Sequence, residues 1–125
     1  MMDKVVYKDE SFSIMGRCME IHNNLGPGFL EVVYKDALEY EFKKNGIPFQ
    51  REKEFEVAYK DAILPHKFYA DFVVFDKIIL EVKAVDRIHK AFIAQAFNYL
   101  AVSGLKLAII VNFGEQRLSS KRILK

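Results

Sequence analysis

The stretch Phe68-Tyr-Ala-Asp-Phe-Val-Val-Phe-Asp-Lys-Ile-Ile-Leu-Glu-Val-Lys-Ala-Val85 is strongly apolar and is typical of a buried β-hairpin. It nonetheless carries Asp71 before its turn, and Glu81 and Lys83 after it. Moving a charge out of water without a partner is costly, so buried charges are normally paired or bound to a metal. The three charged residues in this apolar hairpin therefore predict that they have a common function.

The length of the turn decides whether the two carboxylates meet. A two-residue loop at Asp76-Lys77 would pair Asp71 with Val82 and place the aspartate on the face opposite Glu81. A three-residue loop over 75–77 would set Asp71 directly across from Glu81, with their Cβ atoms about 5 Å apart. We predict the second arrangement, in which Asp71 and Glu81 share one face of the sheet.

Two carboxylates this close repel each other unless a cation or a proton lies between them. Oxygen ligands of this kind suit Mg²⁺ or Mn²⁺ better than zinc. Lys83 lies on the same face as Glu81, because alternate residues of a strand share a face. Its ammonium could orient a water molecule or stabilise charge on a phosphate. The alternative is an ordinary exposed Glu-x-Lys ion pair without a function.

Two helical segments add polar side chains at helical spacing. Glu31 and Tyr34 share one helix face, and Gly28 before them would allow a backbone or a phosphate to approach closely. A simple ion pair between Glu31 and Lys35 is the alternative.

In a later helix, Gln95 lies one turn before Tyr99 in an apolar setting. A buried amide must find hydrogen bonds, so Gln95 would either serve a site or bond to a backbone group in the core.

The order of apolar patterns predicts an α/β fold with the element order α-α-β-β-β-α-β-β. The first helix, over 9–25, would bury its stripe of apolar side chains, which comprises Phe12, Met15, Met19 and Ile21-His22. The next two helices would cover about 29–44 and 86–103. The strands would cover 49–59, 62–75, 77–85, 105–112 and 117–124. The first three would form an antiparallel meander, and 105–112 would be a central strand covered on both faces.

Length and composition predict one domain over residues 1–125. No apolar run approaches the roughly 18 residues of a membrane span, and the N-terminus lacks the pattern of a signal peptide. The single cysteine, Cys18, is expected to be a reduced core thiol, so we expect a cytoplasmic protein. Cys18 and the three histidines lack the paired spacing of a structural zinc site. A net charge of +2 permits nucleic acid as a partner without arguing for it.

These motifs in order make the chain resemble the GxxExxY family, a branch of the PD-(D/E)xK nuclease superfamily. Gly28, Glu31 and Tyr34 match the motif that names the family. The resemblance extends from about Phe12 to the C-terminus. It implies a restriction-endonuclease-like core, which is a mixed sheet of four to five strands flanked by helices.

The catalytic core of the superfamily is matched by Asp71, Glu81 and Lys83, and the Q-x-x-x-Y motif of its exonuclease-like branch is matched by Gln95 and Tyr99. The resemblance implies that Asp71 and Glu81 hold a metal ion. Lys83 would serve the attacking water, and Gln95 and Tyr99 would position the substrate or brace the site.

The resemblance also implies that the carbonyl of Val82 is a metal ligand and that Glu31 is a further ligand or a base. Gly28 and Tyr34 would lie near the substrate. Ala70 departs from the superfamily pattern, which has proline there, and this change removes no chemical group.

We therefore predict a nuclease that uses Mg²⁺ or Mn²⁺ and acts on DNA in preference to RNA. Arg87, His89 and Lys90, at the start of the helix that carries Gln95, would bind the phosphate backbone. A homodimer is one arrangement that would let so small a domain grip a duplex. The alternative function is a module that keeps the nuclease fold and binds nucleic acid or a protein partner without catalysis.

Overall fold

A computed structural model of the protein describes residues 5–125, in which three helices and five strands follow the predicted order. The expectation of no signal peptide rests partly on residues 1–4, which lie outside this range. The elements are α1 (Lys8–Leu25), α2 (Glu31–Lys44), β1 (Phe49–Tyr59), β2 (Ala62–Val74), β3 (Ile78–Lys83), α3 (Lys90–Ser103), β4 (Leu107–Asn112) and β5 (Ser119–Leu124).

The five strands form one mixed sheet in the order β1-β2-β3-β4-β5. The strands β1, β2 and β3 are antiparallel neighbours, so the predicted meander is confirmed. The strand β4 pairs with β3 in parallel after the crossover through α3, and β5 closes the sheet in antiparallel orientation. This arrangement is the predicted α/β fold with a restriction-endonuclease-like core.

Helices cover both faces of the sheet. The larger core lies between the sheet and the pair α1 and α2, and includes Leu38, Phe42 and Phe72. The smaller core lies under α3 and includes Ala70 and Leu100. All six residues of β4 are buried, which confirms it as a central strand.

The predicted apolar face of α1 is wrong by about one residue. Phe12 and Met19 are 81% and 55% exposed, whereas Ile14 and Cys18 are completely buried. Two neighbouring stripes of α1 have helical spacing, and both contain apolar residues. One stripe comprises positions 11, 14, 18 and 21, and the other comprises positions 12, 15, 19 and 22. Only packing against the rest of the chain decides which stripe is buried. Burial also raises the pKa of the Cys18 thiol to about 12, so this core thiol is protonated at neutral pH.

Two helices begin later than predicted. The residue before α2 is Leu30, which is extended, so the helix begins at Glu31. Similarly, the chain over 85–87 bends and His89 is extended, so α3 begins at Lys90. The strands on either side of the hairpin turn are shorter than predicted, because the turn and the residues after β3 leave the ladder. Within residues 5–125, no helix combines the length and the apolar character that crossing a membrane requires.

Candidate functional site

The hairpin between β2 and β3 turns through three residues. Val74 pairs with Ile78, and the N–H of Lys77 donates to the carbonyl of Val74 at 3.1 Å. Phe75 and Asp76 take positive φ angles of 58° and 56° to close the loop. The predicted loop is therefore confirmed, and its register places Asp71 across from Glu81.

Next to the hairpin's last regular pair, hydrogen bonds to side chains take the place of backbone hydrogen bonds between β2 and β3. The last regular pair joins Phe72 to Leu80. Beyond it, the N–H of Asp71 donates to Oε2 of Glu81 at 2.9 Å, and the N–H of Val82 donates to Oδ2 of Asp71 at 2.8 Å. The two strands thus separate while the two carboxylates are held in the gap between them.

The neighbouring strand is distorted at the same level. Glu52 on β1, across from Asp71 in the β1–β2 register, has a φ of 54°, which is uncommon for a residue other than glycine. Alternate residues of a regular strand point to the same face of the sheet, but Ala70 and Phe72 do not. Ala70 lies in the core under α3, whereas Phe72 lies in the core under α1 and α2. Backbone strain of this kind costs roughly 1–3 kcal/mol and concentrates at functional sites.

Glu81 is the most strongly perturbed acid of the site. The residue is only 4% exposed, and this burial, together with the negative charge of Asp71, raises the pKa of its carboxyl to about 8. A group held so far from its usual ionisation range, in a gap between strands, has the properties of a functional carboxyl.

Lys35 on α2 is a member of the site that the sequence did not reveal. Its Nζ lies 3.1 Å from Oδ1 of Asp71 and also bonds the carboxylate of Glu52. Lys35 therefore forms its ion pairs with Asp71 and Glu52. The predicted alternative, an ion pair between Glu31 and Lys35, is not among the ion pairs of the described residues. The only local signal was the spacing of four residues between Glu31 and Lys35.

Lys83 and Glu31 interact electrostatically with the carboxylates of the site. The Nζ of Lys83 lies 4.6 Å from the centre of the Phe92 ring, on the side of the sheet that α3 covers. The pKa of Glu31 is raised, first by partial burial and then by the charge of Asp71, while Lys83 and Lys35 oppose the shift. Glu31 therefore lies within electrostatic range of both Asp71 and Lys83.

The donor set fits a small, hard cation. An extended residue directs its N–H and its C=O to the same side, so the carbonyl of Val82 faces β2 together with the N–H that Asp71 accepts. Within residues 5–125, no three acidic, histidine or cysteine side chains gather into a metal-binding cluster. Glu31 is thus not part of a preformed ligand cluster. Mg²⁺ needs only one or two carboxylates and keeps several water ligands, so Asp71, Glu81 and the Val82 carbonyl are the groups that could hold it.

Tyr99 links α3 to the backbone beside the site. Its hydroxyl donates to the carbonyl of Tyr69, two residues before Asp71, at 2.9 Å, and accepts a hydrogen bond from Nε2 of Gln95 at 3.5 Å. Burial, followed by the charges of Glu81 and Asp71, raises the pKa of Tyr99 to about 12. The predicted setting of Gln95 needs correction, because this side chain is exposed and bonds a tyrosine hydroxyl, not a backbone group in the core.

Tyr34 does not lie where a substrate could touch it, which corrects the expectation of a substrate-binding residue. Its side chain is completely buried and its ring stacks on Phe113 with centroids 4.6 Å apart. Its hydroxyl donates to the carbonyl of Gly26 and accepts from the N–H of Phe29. Gly28 lies within this loop at a φ of 115°, and no atom lies within 4 Å of the place that a Cβ would take. The positive φ therefore explains the glycine, and no other part of the described chain approaches it closely.

The predicted phosphate-binding residues lie at the start of α3. Arg87 and Lys90 are exposed, and His89 is the residue before the helix. A ring nitrogen of His89 lies 3.2 Å from a carboxylate oxygen of Asp86, and this contact is the main reason why the pKa of Asp86 is lowered. Arg87 and Lys90 therefore present charge to solvent, while His89 is engaged locally.

Asn112 is a second residue whose position the sequence did not indicate. Its buried side chain donates to the carbonyl of Val85 and accepts from the N–H groups of Val85 and Gly114, each at 3.0 Å. These bonds fix the chain where it leaves β3, two residues after Lys83. A single asparagine at a strand end gives no signal for such a clamp in the sequence.

Comparisons with known proteins agree with this architecture. A family model described as the PD-(D/E)XK nuclease superfamily matches residues 8–123. The crystal structure of SSO0001 is similar, with a TM-score of 0.58 and 22% sequence identity over 76% of this chain. The match covers 50% of the SSO0001 chain, so this chain spans about half of its length, and at this identity the likeness concerns the fold alone. No curated protein matches the sequence.

Proposed function

Because the chain belongs to the PD-(D/E)XK nuclease superfamily, we propose that it is a nuclease that uses Mg²⁺ or Mn²⁺ to hydrolyse phosphodiester bonds of DNA. The observation that supports this most is the contact of Asp71 with Glu81 where the ladder ends, with Lys83 two residues further on β3. We further assign the chain to the GxxExxY branch, on the motif formed by Gly28, Glu31 and Tyr34.

In this proposal, Asp71, Glu81 and the carbonyl of Val82 would hold the metal ion. A bound Mg²⁺ or Mn²⁺ would supply an activated water and stabilise charge on the phosphate. Glu81 must give up its proton for the site to load, because a carboxylate binds the cation and a carboxylic acid does not. Because burial raises the pKa of Glu81, a proton competes with the cation for this carboxyl, and metal binding should strengthen as the pH rises.

Lys83 and Glu31 would handle the water and the scissile phosphate. The ammonium of Lys83 orients the attacking water or stabilises the negative charge that grows on the phosphate oxygens. The raised pKa of Glu31 makes its carboxylate a stronger base than an ordinary glutamate, which suits a group that accepts a proton from water. Asn112 holds the chain that follows Lys83, so Lys83 starts from a fixed backbone.

The helix α3 would brace the site and guide the substrate. Tyr99 fixes the backbone of β2 through Tyr69, and Gln95 supports its hydroxyl, so both are assigned to positioning. Arg87 and Lys90 would bind DNA phosphates without regard to sequence. His89, held by Asp86, is the weakest member of this substrate-binding group.

A cleavage assay tests the proposal. Purified protein is incubated with labelled single-stranded DNA, double-stranded DNA or RNA in the presence of Mg²⁺, Mn²⁺ or EDTA. We expect cleavage that requires the metal ion, and loss of cleavage in Glu81→Ala. Glu20→Ala, which alters an exposed glutamate on α1, is the matched control and should keep full activity.

The outcomes separate the alternatives. Binding of DNA without cleavage under any metal condition would favour the non-catalytic module that keeps the fold. Cleavage of RNA alone would retain the chemistry and change the substrate. Activity that survives in Glu81→Ala would reject the site as assigned. Measurement of mass in solution, with and without DNA, tests the homodimer that we propose for the grip on a duplex.

A further inference from the structure

Both oxygens of the Asp71 carboxylate accept a hydrogen bond in the structure. Oδ1 accepts from Nζ of Lys35 at 3.1 Å, and Oδ2 accepts from the N–H of Val82 at 2.8 Å. A cation that binds Asp71 comes close to these donors, and the positive charge of Lys35 opposes it. The N–H of Val82 belongs to the rigid sheet, whereas the ammonium of Lys35 ends a flexible four-carbon stem. Lys35 is therefore the donor that can leave.

Glu52 offers Lys35 a second partner. The same ammonium bonds the carboxylate of Glu52, which lies across from Asp71 on the neighbouring strand. The Lys35 side chain is only 12% exposed, so leaving it without a partner would be costly. With Glu52 beside it, Lys35 can release Asp71 and stay paired. The half-exposed side chain of Glu52 has the freedom to follow.

We propose that Lys35 is a built-in counter-ion for the metal site: it neutralises Asp71 when no metal is bound, and withdraws to Glu52 when a divalent cation is taken up. This inference rests on the proposed function, because it assumes that Asp71 is a metal ligand. In this proposal Lys35 and Glu52 adjust the affinity of the site for the metal ion. Neither residue has a role in the mechanism proposed above.

The charges of the site explain why an exchange is needed. The carboxyl of Glu81 accepts from the N–H of Asp71, so the two acidic residues are close, and a negative charge on Asp71 needs a positive charge beside it. The ammonium of Lys35 supplies that charge when no cation is bound. A divalent cation beside Asp71 would instead repel the ammonium, since like charges a few ångströms apart raise the energy. Lys35 therefore stabilises the metal-free protein and competes with the metal.

Two substitutions at the two ends of this pair should shift metal affinity in opposite directions. In Lys35→Met the competing charge is gone and the side-chain volume is retained, so Mn²⁺ should bind on the order of tenfold more tightly. In Glu52→Gln the ammonium keeps only Asp71 as a charged partner, so Mn²⁺ should bind severalfold more weakly. Lys43→Met removes a lysine of the same helix, paired with Glu39, and should change nothing.

The measurement is calorimetric titration of the full chain with MnCl₂ in the absence of DNA, so no step depends on catalysis. Thermal unfolding of each variant without metal checks folding and gives a second readout. Lys35→Met should melt earlier than the wild type without metal and gain more from Mn²⁺.

Weaker or unchanged Mn²⁺ binding in Lys35→Met overturns the inference, because removing a lysine that only orients Asp71 would not help the metal to bind. Equal affinities of Glu52→Gln and the wild type overturn it independently, which keeps the test decisive if Lys35→Met does not fold. A wild type that binds no Mn²⁺ would instead reject the metal site of the proposed function.

Discussion

The N–H of Asp71 donates to the carboxylate of Glu81 across the point where β2 and β3 part, at 2.9 Å. A backbone group of one acid thus binds the side chain of the other, which brings two carboxyl groups together in a region where Glu81 is almost fully buried. Burial of Glu81, followed by the charge of Asp71, raises the pKa of this carboxyl to about 8 and favours its protonated form, although the hydrogen bond from Asp71 opposes the shift. The consequences of this contact can be measured.

The first prediction concerns stability and pH in the absence of metal. The pKa of Glu81 is about 8 in the folded protein, above the ordinary value of 4.5, so between these values the folded state binds more protons than the unfolded state. The free energy of unfolding should therefore fall as pH rises from about 4.5 to 8, by up to a few kcal/mol from this group. Glu81→Gln should remove this fall and be more stable than the wild type at pH 8.

Urea unfolding of both proteins at several pH values, in EDTA, provides the test. The difference between the two curves isolates Glu81 from other titrating groups, and Glu20→Gln serves as a control on an exposed glutamate. Parallel curves for wild type and Glu81→Gln would contradict the raised pKa.

The second prediction separates metal binding from chemistry at Lys83. Lys83 is not in the proposed ligand set, so Lys83→Met should bind Mn²⁺ within a few-fold of the wild type. Cleavage should fall by about a hundredfold or more, the usual cost of losing one group that stabilises charge in a transition state. Calorimetry and single-turnover cleavage measure the two effects. Loss of Mn²⁺ binding with loss of cleavage would assign Lys83 to the metal site itself.

The third prediction concerns the loop before α2. Tyr34→Phe keeps the ring that stacks on Phe113 and removes the hydroxyl that bonds Gly26 and Phe29. We expect a loss of stability of about 1 kcal/mol, because the partly buried carbonyl of Gly26 loses its donor. Amide hydrogen exchange should accelerate at Phe29. A direct contact of Tyr34 with substrate predicts instead an unchanged exchange rate and a higher KM.

The fourth prediction concerns the DNA path. Replacing Arg87 and Lys90 with alanine should weaken binding to all DNA sequences alike, and should lower the salt slope by about one unit for each phosphate that the variant no longer binds. Fluorescence anisotropy at several salt concentrations, in Ca²⁺ or EDTA, measures both. Lys106 and Lys125 lie at the opposite end of the sheet, where β4 begins and β5 ends, and their double alanine variant is the control. Equal slopes in the two double variants would place the DNA elsewhere.

The order of elements and the geometry of the hairpin follow from the amino-acid sequence alone. Apolar alternation and turn residues are local properties, so they identified β1 as 49–59 and the three-residue loop over 75–77. Because side chains alternate along a strand, the loop length was enough to predict Asp71 across from Glu81.

The faces that are buried and the partners that charges take depend on how the elements pack. Two neighbouring stripes of α1 are equally helical, and packing against the sheet selected the one with Ile14 and Cys18. Lys35 pairs with Asp71, 36 positions away, and not with Glu31 on its own helix, because the folded sheet brings the partly buried carboxylate of Asp71 to its ammonium. A charge takes the partner that lies near it in space, and sequence spacing reports only the partners along one element.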